Sequence, residues 1–137
     1  MKVEDCIFFQ LAKTSQAATR FWGQKVAPFN VTAVQAMVLN FLSDEDEVTS
    51  RHLGERTRLD SATLTGILDR LEGMKLVERK PNPEDRRAIL VCLTKKGKPL
   101  AAKIHKAAEV ANREFLSVLN TKDEVQLRSL LGRVRGE

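Results

Sequence analysis

Apolar residues recur with helical spacing over most of this chain and with strand spacing over one short stretch. Ile7, Leu11, Ser15, Ala18, Trp22 and Val26 follow one another at steps of four and three, and Phe8 and Ala12 widen the stripe. That spacing predicts an amphipathic helix, ended by Pro28 and Asn30. The Thr32 hydroxyl can cap a second helix, with Val34, Met37, Val38, Phe41 and Leu42 as its apolar face. The acidic turn Ser43–Glu47 is expected to be a solvated loop. Thr49 or Ser50 caps a short helix running to about Arg56, with Leu53 inward. After the tight connector Thr57-Arg58-Leu59, Asp60 or Ser61 caps a helix to about Glu72. Leu64, Ile67, Leu68 and Leu71 form its buried side, and Gly73 is expected to supply a left-handed C-terminal turn.

The period then changes. Leu76–Lys80 is a short strand candidate, Pro81–Arg86 is turn chemistry that forbids helix, and Ala88–Leu93 is a second, aliphatic strand. Together they predict a β-hairpin with a charged tip. Thr94 caps a long helix whose face is Leu100, Ile104, Ala107, Ala108, Ala111, Phe115 and Val118. Asn120-Thr121 interrupts it, and a last helix carries Val125, Leu127, Leu130, Leu131 and Val134. The expected fold class is therefore mainly α with a small β-hairpin wing.

The first and last helices are apolar on one face, yet three short helices and a hairpin make a core too small to bury both. Association of two copies through the chain ends would cover them. Ile7, Phe8, Leu11, Trp22, Phe115, Leu127, Leu130 and Leu131 are the expected dimer contacts. This reading makes residues 1–137 one unit, with a lobe at 31–96 between helical dimerisation regions at 1–30 and 97–137.

Composition sharpens this picture in two ways. Hydrophobic residues are 42% of 137, which is globular, and no apolar run approaches the ~20 residues of a membrane helix. The start of the chain lacks the order of a secretory signal, so a cytoplasmic protein without membrane partners is expected. Second, the net charge of +5 is unevenly placed. Residues 1–49 carry 4 basic and 6 acidic groups, whereas residues 50–99 carry 12 and 7. An anionic partner would be met by the middle of the chain.

Helix, short helix, tight turn, helix and hairpin is the order of a winged helix-turn-helix. A helix over Ser61–Glu72 would be ~18 Å long, enough to cross a major groove ~12 Å wide. Its outward residues are Ser61, Ala62, Thr63, Thr65, Gly66, Asp69 and Arg70. Small side chains let the backbone approach base edges, and hydroxyls donate or accept there. At the hairpin tip, Asp85, Arg86 and Arg87 suit a minor groove. Asp85 is expected to pair with the Arg87 side chain and hold it out. Ser50, Arg51 and Lys95, with Lys96 and Lys98 beside it, are candidate phosphate contacts.

These stretches resemble the multiple-antibiotic-resistance regulator (MarR) family of bacterial transcription factors. The resemblance spans nearly the whole chain and is most specific from Val31 to Gly97. It rests on Val31-Thr32-Ala33-Val34-Gln35, Leu59–Thr65, Leu68-Asp69-Arg70-Leu71-Glu72, Leu76-Val77-Glu78-Arg79, Asp85-Arg86-Arg87 and Leu93-Thr94-Lys95-Lys96-Gly97, in that order. It implies a homodimer joined by terminal helices on a near-palindromic double-stranded DNA operator. It also implies a ligand-responsive repressor, released by a small lipophilic or phenolic effector or by oxidation. Two positions depart from the family: Gly66 stands where many members have arginine, and Lys75 where they have the glycine before the wing.

Cys6 is the candidate redox residue, because the organic-hydroperoxide regulators of this family carry a sensing cysteine in that region. Such a thiolate is held by tyrosine hydroxyls there, and this chain has no tyrosine. The reading preferred for Cys6 is a small apolar residue in a helix interface, and for Cys92 a buried filler. His52 and His105 lack metal-ligand neighbours at convincing spacing and read as surface residues. No phosphate loop, Ser-His-Asp order, Cys-His pair or metal motif argues for an enzyme or a cofactor. A winged helix that binds protein instead of DNA would present an apolar face, whereas Ser61, Thr63, Thr65 and Arg70 are polar.

Overall fold

The computed structural model describes all residues, Met1–Glu137. Its elements are α1 (Ile7–Val26), α2 (Ala33–Asp44), β1 (Val48–Thr49), α3 (Ser50–Thr57), α4 (Ser61–Gly73), β2 (Val77–Pro81), β3 (Ile89–Leu93), α5 (Gly97–Phe115) and α6 (Thr121–Val134). Short 3-10 turns at Val3–Asp5 and Ala27–Phe29 flank α1. The fold is mostly helical with a small antiparallel sheet, ordered β1-β3-β2, and its winged helix-turn-helix order is the expected one.

Local chemistry starts every helix except α1. Thr32 and Gln35 form a reciprocal capping box at α2, in which each side chain takes the other's backbone N–H. Thr49 caps α3 through the His52 N–H, Asp60 caps α4 through the Thr63 N–H, and Asn120 caps α6 through the Asp123 N–H. At α5 the Thr94 hydroxyl accepts from the Gly97 N–H at 2.9 Å.

One core runs through the middle of the chain. Val26, Val38, Leu39, Leu42, Leu53, Leu68, Leu71, Val77, Val91 and Ile104 are fully enclosed. Leu64, Ile67, Leu68 and Leu71 are all buried, as the spacing of α4 requires. The face of α2 is rotated from the expected one. Gln35, Ala36, Val38, Leu39 and Leu42 are buried, whereas Met37 is exposed. Gln35 can be buried because the capping box satisfies its carbonyl oxygen, and Met37 faces a cavity described below.

The acidic turn is also more than a solvated loop. Asp46 Oδ1 accepts the N–H groups of Leu93 and Glu47, which ties the turn to β3. Asp44 and Glu45 both hold Arg56, whose guanidinium lies 5.0 Å from the Phe41 ring centroid. The strand β1, too short to register as a period, pairs Val48 with Val91 and adds a third strand to the hairpin.

The wing is anchored where four elements meet. Leu76 lies between α4 and β2, and Thr94 lies between β3 and α5. The Thr94 N–H donates to the Leu76 carbonyl at 3.1 Å, and the Thr94 hydroxyl donates to the Lys75 carbonyl at 2.6 Å. Gly97 packs its Cα so close that an added Cβ would overlap the Leu76 carbonyl oxygen. Gly73 stays inside α4. Lys75 instead takes the left-handed conformation, with φ 60°. Gly73 is therefore not the turn residue, and the side chain at Lys75 bears the backbone cost itself.

Gly97→Ala should destabilise the fold by about 2–3 kcal/mol, the scale of overpacking at a site that cannot relax. Gly66→Ala, where open space surrounds the added methyl, should be neutral or slightly stabilising. Urea unfolding of the two variants measures the contrast.

Candidate nucleic-acid interface

The helix α4 presents a continuous polar face. Ser61, Ala62, Thr63, Thr65, Gly66, Asp69 and Arg70 are all exposed, as the sequence predicts. Asp60 orders the start of this face. Its Oδ1 accepts the Thr63 N–H and its Oδ2 accepts the Thr63 hydroxyl, both at 2.8 Å. These two bonds hold the Asp60 carboxyl below its ordinary range. They also commit the hydroxyl proton of Thr63, so that towards a base edge this hydroxyl acts as an acceptor.

The hairpin tip carries Asp85, Arg86 and Arg87, all exposed. Asp85 does not pair with the Arg87 guanidinium. Its Oδ1 accepts the backbone N–H of Arg87 at 3.0 Å, and its carbonyl accepts from Ala88. The carboxylate therefore shapes the turn by an Asx contact and leaves the arginine side chain free. Neither Arg86, Arg87 nor Arg70 joins any of the ion pairs of the chain.

Sequence reading missed the contact between helix and wing. Arg79 on β2 donates to Asp69 and Glu72 on α4. The Arg79 N–H also donates to Glu72 Oε2, at 3.2 Å. Asp69, exposed on the outer side of α4, is thus spoken for by the wing. Arg79 hydrogen bonds hold the Glu72 carboxyl below its ordinary range, and the two carboxylates raise the Arg79 guanidinium further. The signal was the order Asp69, Glu72, Arg79, but the pairing depends on how β2 folds back along α4.

The candidate phosphate contacts lie at two places. Ser50 is half-buried at the start of α3, and Arg51 is exposed and 3.4 Å from Glu55. Lys95 is exposed between β3 and α5, while the Lys96 ammonium is spent on the Met74 carbonyl at 3.3 Å. A groove between α3 and α4 connects Ser50 and Arg51 to Ser61 and Thr65.

The sequence signature of the MarR family matches residues 29–88. The chain is 33% identical over 132 residues to the organic hydroperoxide resistance transcriptional regulator of Bacillus subtilis. That alignment covers 96% of this chain and 88% of the relative. The chain belongs to the MarR family. Among solved structures, a mutant MarR from E. coli complexed with operator DNA superposes with a TM-score of 0.87 at 28% identity. It covers 98% of this chain and 99% of that one. Bordetella bronchiseptica BpsR, whose DNA binding is regulated by 6-hydroxynicotinic acid, gives 0.90 at 26% identity, covering 100% and 98%. The MarR-family relatives are transcription regulators, and their winged-helix fold is the one found here.

The remaining expected residues of this MarR-family chain lie away from the polar face. Phe8 is 80% exposed on α1, beside exposed Ile7 and Leu11. On α6, Leu127, Leu130 and Leu131 are exposed, and no residue of that helix is buried. Trp22 is different. It packs against its own core and donates its indole N–H to the Ala33 carbonyl at 3.0 Å, so its packing within the chain comes first. Phe115, at the end of α5, lies 5.3 Å from Phe21. Cys6 is half-buried at the start of α1, where it offers no side-chain cap. Cys92 is buried in β3, and that burial pushes its thiol up, away from reactive thiolate. His52 faces Glu45, and His105 bridges Asn40 and Glu109. No helix is long and apolar enough by itself to cross a membrane.

Arg79→Met should lower stability at neutral pH and flatten its acid dependence. The Glu72 carboxyl is depressed in the folded state, so its contribution is complete above the ordinary carboxyl range and is lost as pH falls through the folded value. Unfolding free energy measured from about pH 6 to about pH 3 should fall less steeply in the variant than in the parent.

Proposed function

We propose that this chain is a non-enzymatic, cytoplasmic repressor of transcription that binds a near-palindromic DNA operator as a homodimer and is released by a small effector. The observation that carries this reading is the pairing of a polar α4 face with a wing tip whose two arginines are unpaired. Ser61, Ala62, Thr63, Thr65 and Gly66 enter the major groove, and Arg70 meets phosphate near the helix end. Arg86 and Arg87 reach the adjoining minor groove, and Ser50, Arg51 and Lys95 add phosphate contacts. The lobe at 31–96 reads DNA, and the regions at 1–30 and 97–137 join two copies. Exposed apolar residues on α1 and α6 support that joining.

The cavity between α1, α2 and α5 supports the effector reading. It holds about 200 Å³ and is lined by Ala18, Phe21, Trp22, Met37, Asn40, Ala108, Ala111, Asn112 and Phe115. The space is a cleft open to solvent at Met37, Asn112 and Phe115, and its size and mostly apolar lining suit a lipophilic or phenolic ring. A solved relative regulated by 6-hydroxynicotinic acid adds weight to a small ring as effector. The operation is a competition: an effector that favours a lobe spacing unsuited to the operator shifts the population off DNA.

Oxidation is the second reading, favoured by likeness to an organic hydroperoxide resistance regulator. Cys6 speaks against it. It follows Glu4 and Asp5, and its thiol receives no hydrogen bond that would hold a thiolate. Organic hydroperoxide at sub-stoichiometric dose should release wild type and Cys6→Ser from DNA equally slowly in a mobility-shift assay. Fast, thiol-reversible release of wild type alone makes the protein a redox sensor.

Arg87→Ala should weaken operator binding by ~1–3 kcal/mol per site. An unchanged affinity by fluorescence anisotropy would remove the wing from the interface. Selection from random duplexes should return two related half-sites spaced ~34–36 Å apart, and Thr63 or Thr65 substitutions should change one symmetric base position. A single asymmetric half-site refutes the dimer.

A further inference from the structure

The exposed face of α4 carries the hydroxyls of Ser61, Thr63 and Thr65. A free hydroxyl turns its proton to suit a donor or an acceptor, and those of Ser61 and Thr65 are free. Thr63 differs. Its hydroxyl donates to Asp60 Oδ2 and its N–H to Asp60 Oδ1, both at 2.8 Å. Chemistry fixes the direction of the hydroxyl bond. An ionised carboxylate has no proton to give, so the proton in that bond belongs to Thr63. The same two bonds hold the Asp60 carboxyl below its ordinary range, which keeps it ionised at neutral pH. Asp69, farther along the helix, is taken by Arg79, whereas Asp60 is held by Thr63 alone among side chains. Thr63 is exposed, so its oxygen keeps a lone pair for a partner outside the chain.

We propose that Asp60 is a positioning residue for base recognition: by holding the Thr63 hydroxyl proton, it makes Thr63 select an amino base, adenine or cytosine, over a keto base, guanine or thymine, at one symmetric position of each half-site. The proposal rests on the operator reading above and adds the class of base that is read. In the major groove adenine N6 and cytosine N4 are donors and suit the Thr63 oxygen, whereas guanine O6 and thymine O4 are acceptors and confront it. Thr63 answers a keto base only by giving up its bond to Asp60. Hydrogen bonds to a charged group are about twice as strong as neutral ones, so that exchange loses more than it gains. Asparagine in place of Asp60 reverses the sense. Its Oδ1 still accepts the Thr63 N–H, but its Nδ2 donates to the hydroxyl oxygen. The Thr63 proton is then released to turn outward, where it suits guanine or thymine. Asparagine caps helices about as well as aspartate, so the fold is kept.

The test is selection from random duplexes by the full chain, followed by anisotropy titrations of all four base pairs at the position that responds. Thr63→Val keeps the shape and the backbone N–H but lacks the hydroxyl, and it locates that position by loss of preference there. Wild type should favour adenine or cytosine about fivefold over guanine or thymine, the size of one net hydrogen bond. Thr63→Ser should keep that preference. Asp60→Asn should select guanine or thymine at the same position and leave the rest of the motif as it was. A role for Asp60 confined to capping α4 would weaken all sequences alike and would not exchange one class of base for the other. The proposal is overturned if wild type selects a keto base there, if Asp60→Asn keeps the amino base, or if Thr63→Val alters no position. A change in Asp60→Asn with none in Thr63→Val also overturns it, because the carboxylate then meets the base directly. A selected motif that ignores both residues leaves the operator reading standing, whereas the absence of any motif refutes that reading and this proposal together.

Discussion

The close approach of Gly97 to the Leu76 carbonyl is the constraint on which the rest of the molecule depends. At that point the end of α4, the first wing strand, the last wing strand and the start of α5 converge within one hydrogen-bonded knot. Leu76 supplies one carbonyl to Thr94, Lys75 supplies another, and Thr94 in turn caps α5 through Gly97. A side chain at Gly97 would push α5 off the base of the wing. Since α5 is also the long helix that packs on α1 and α2, its direction fixes the lobe relative to the terminal helices.

A second layer of control lies in the Asp69–Glu72–Arg79 cluster. One guanidinium serves two carboxylates a turn apart on α4, which fixes β2 against that helix in angle as well as distance. The base of the wing is thereby held against the helix that carries the polar face. An element of the wing cannot be displaced without dragging the helix that lies beside it. The exposed pair Arg51–Glu55 has no comparable leverage because it joins two residues of one helix.

Much of this was legible in the sequence because it is local. The caps at Thr32, Thr49 and Asp60, the buried stripe of α4 and the turn chemistry of the hairpin depend on neighbours within four residues. Some of what escaped depends on distant parts of the chain, and the rest on short-range backbone contacts that spacing and charge do not show. The rotation of α2 follows from the Gln35 capping box, which lets an amide be buried and turns Met37 outward. The acidic turn gained a role because Asp46 meets Leu93, 47 residues away. Lys75, not Gly73, takes the left-handed turn, since Leu71 and Glu72 close the helix end through the N–H groups of Leu76 and Lys75. Asp85 reached for the backbone of Arg87 instead of its guanidinium, which a list of opposite charges does not show. The polar face of α4 and the tip arginines were read correctly as exposed; the clamp that orients them needed the folded chain.

The core that closes within one chain ends before α6, and α1 contributes to it little beyond Val26 and part of Trp22. In the proposed homodimer the apolar sides of α1 and α6 are covered by the partner, and the free energy of that association grows with the logarithm of protein concentration. On that reading dilution uncovers the chain ends first, while the core built on Leu68, Leu71 and Val91 closes within one chain. Copy number would then bear on how firmly the two ends of the chain are held.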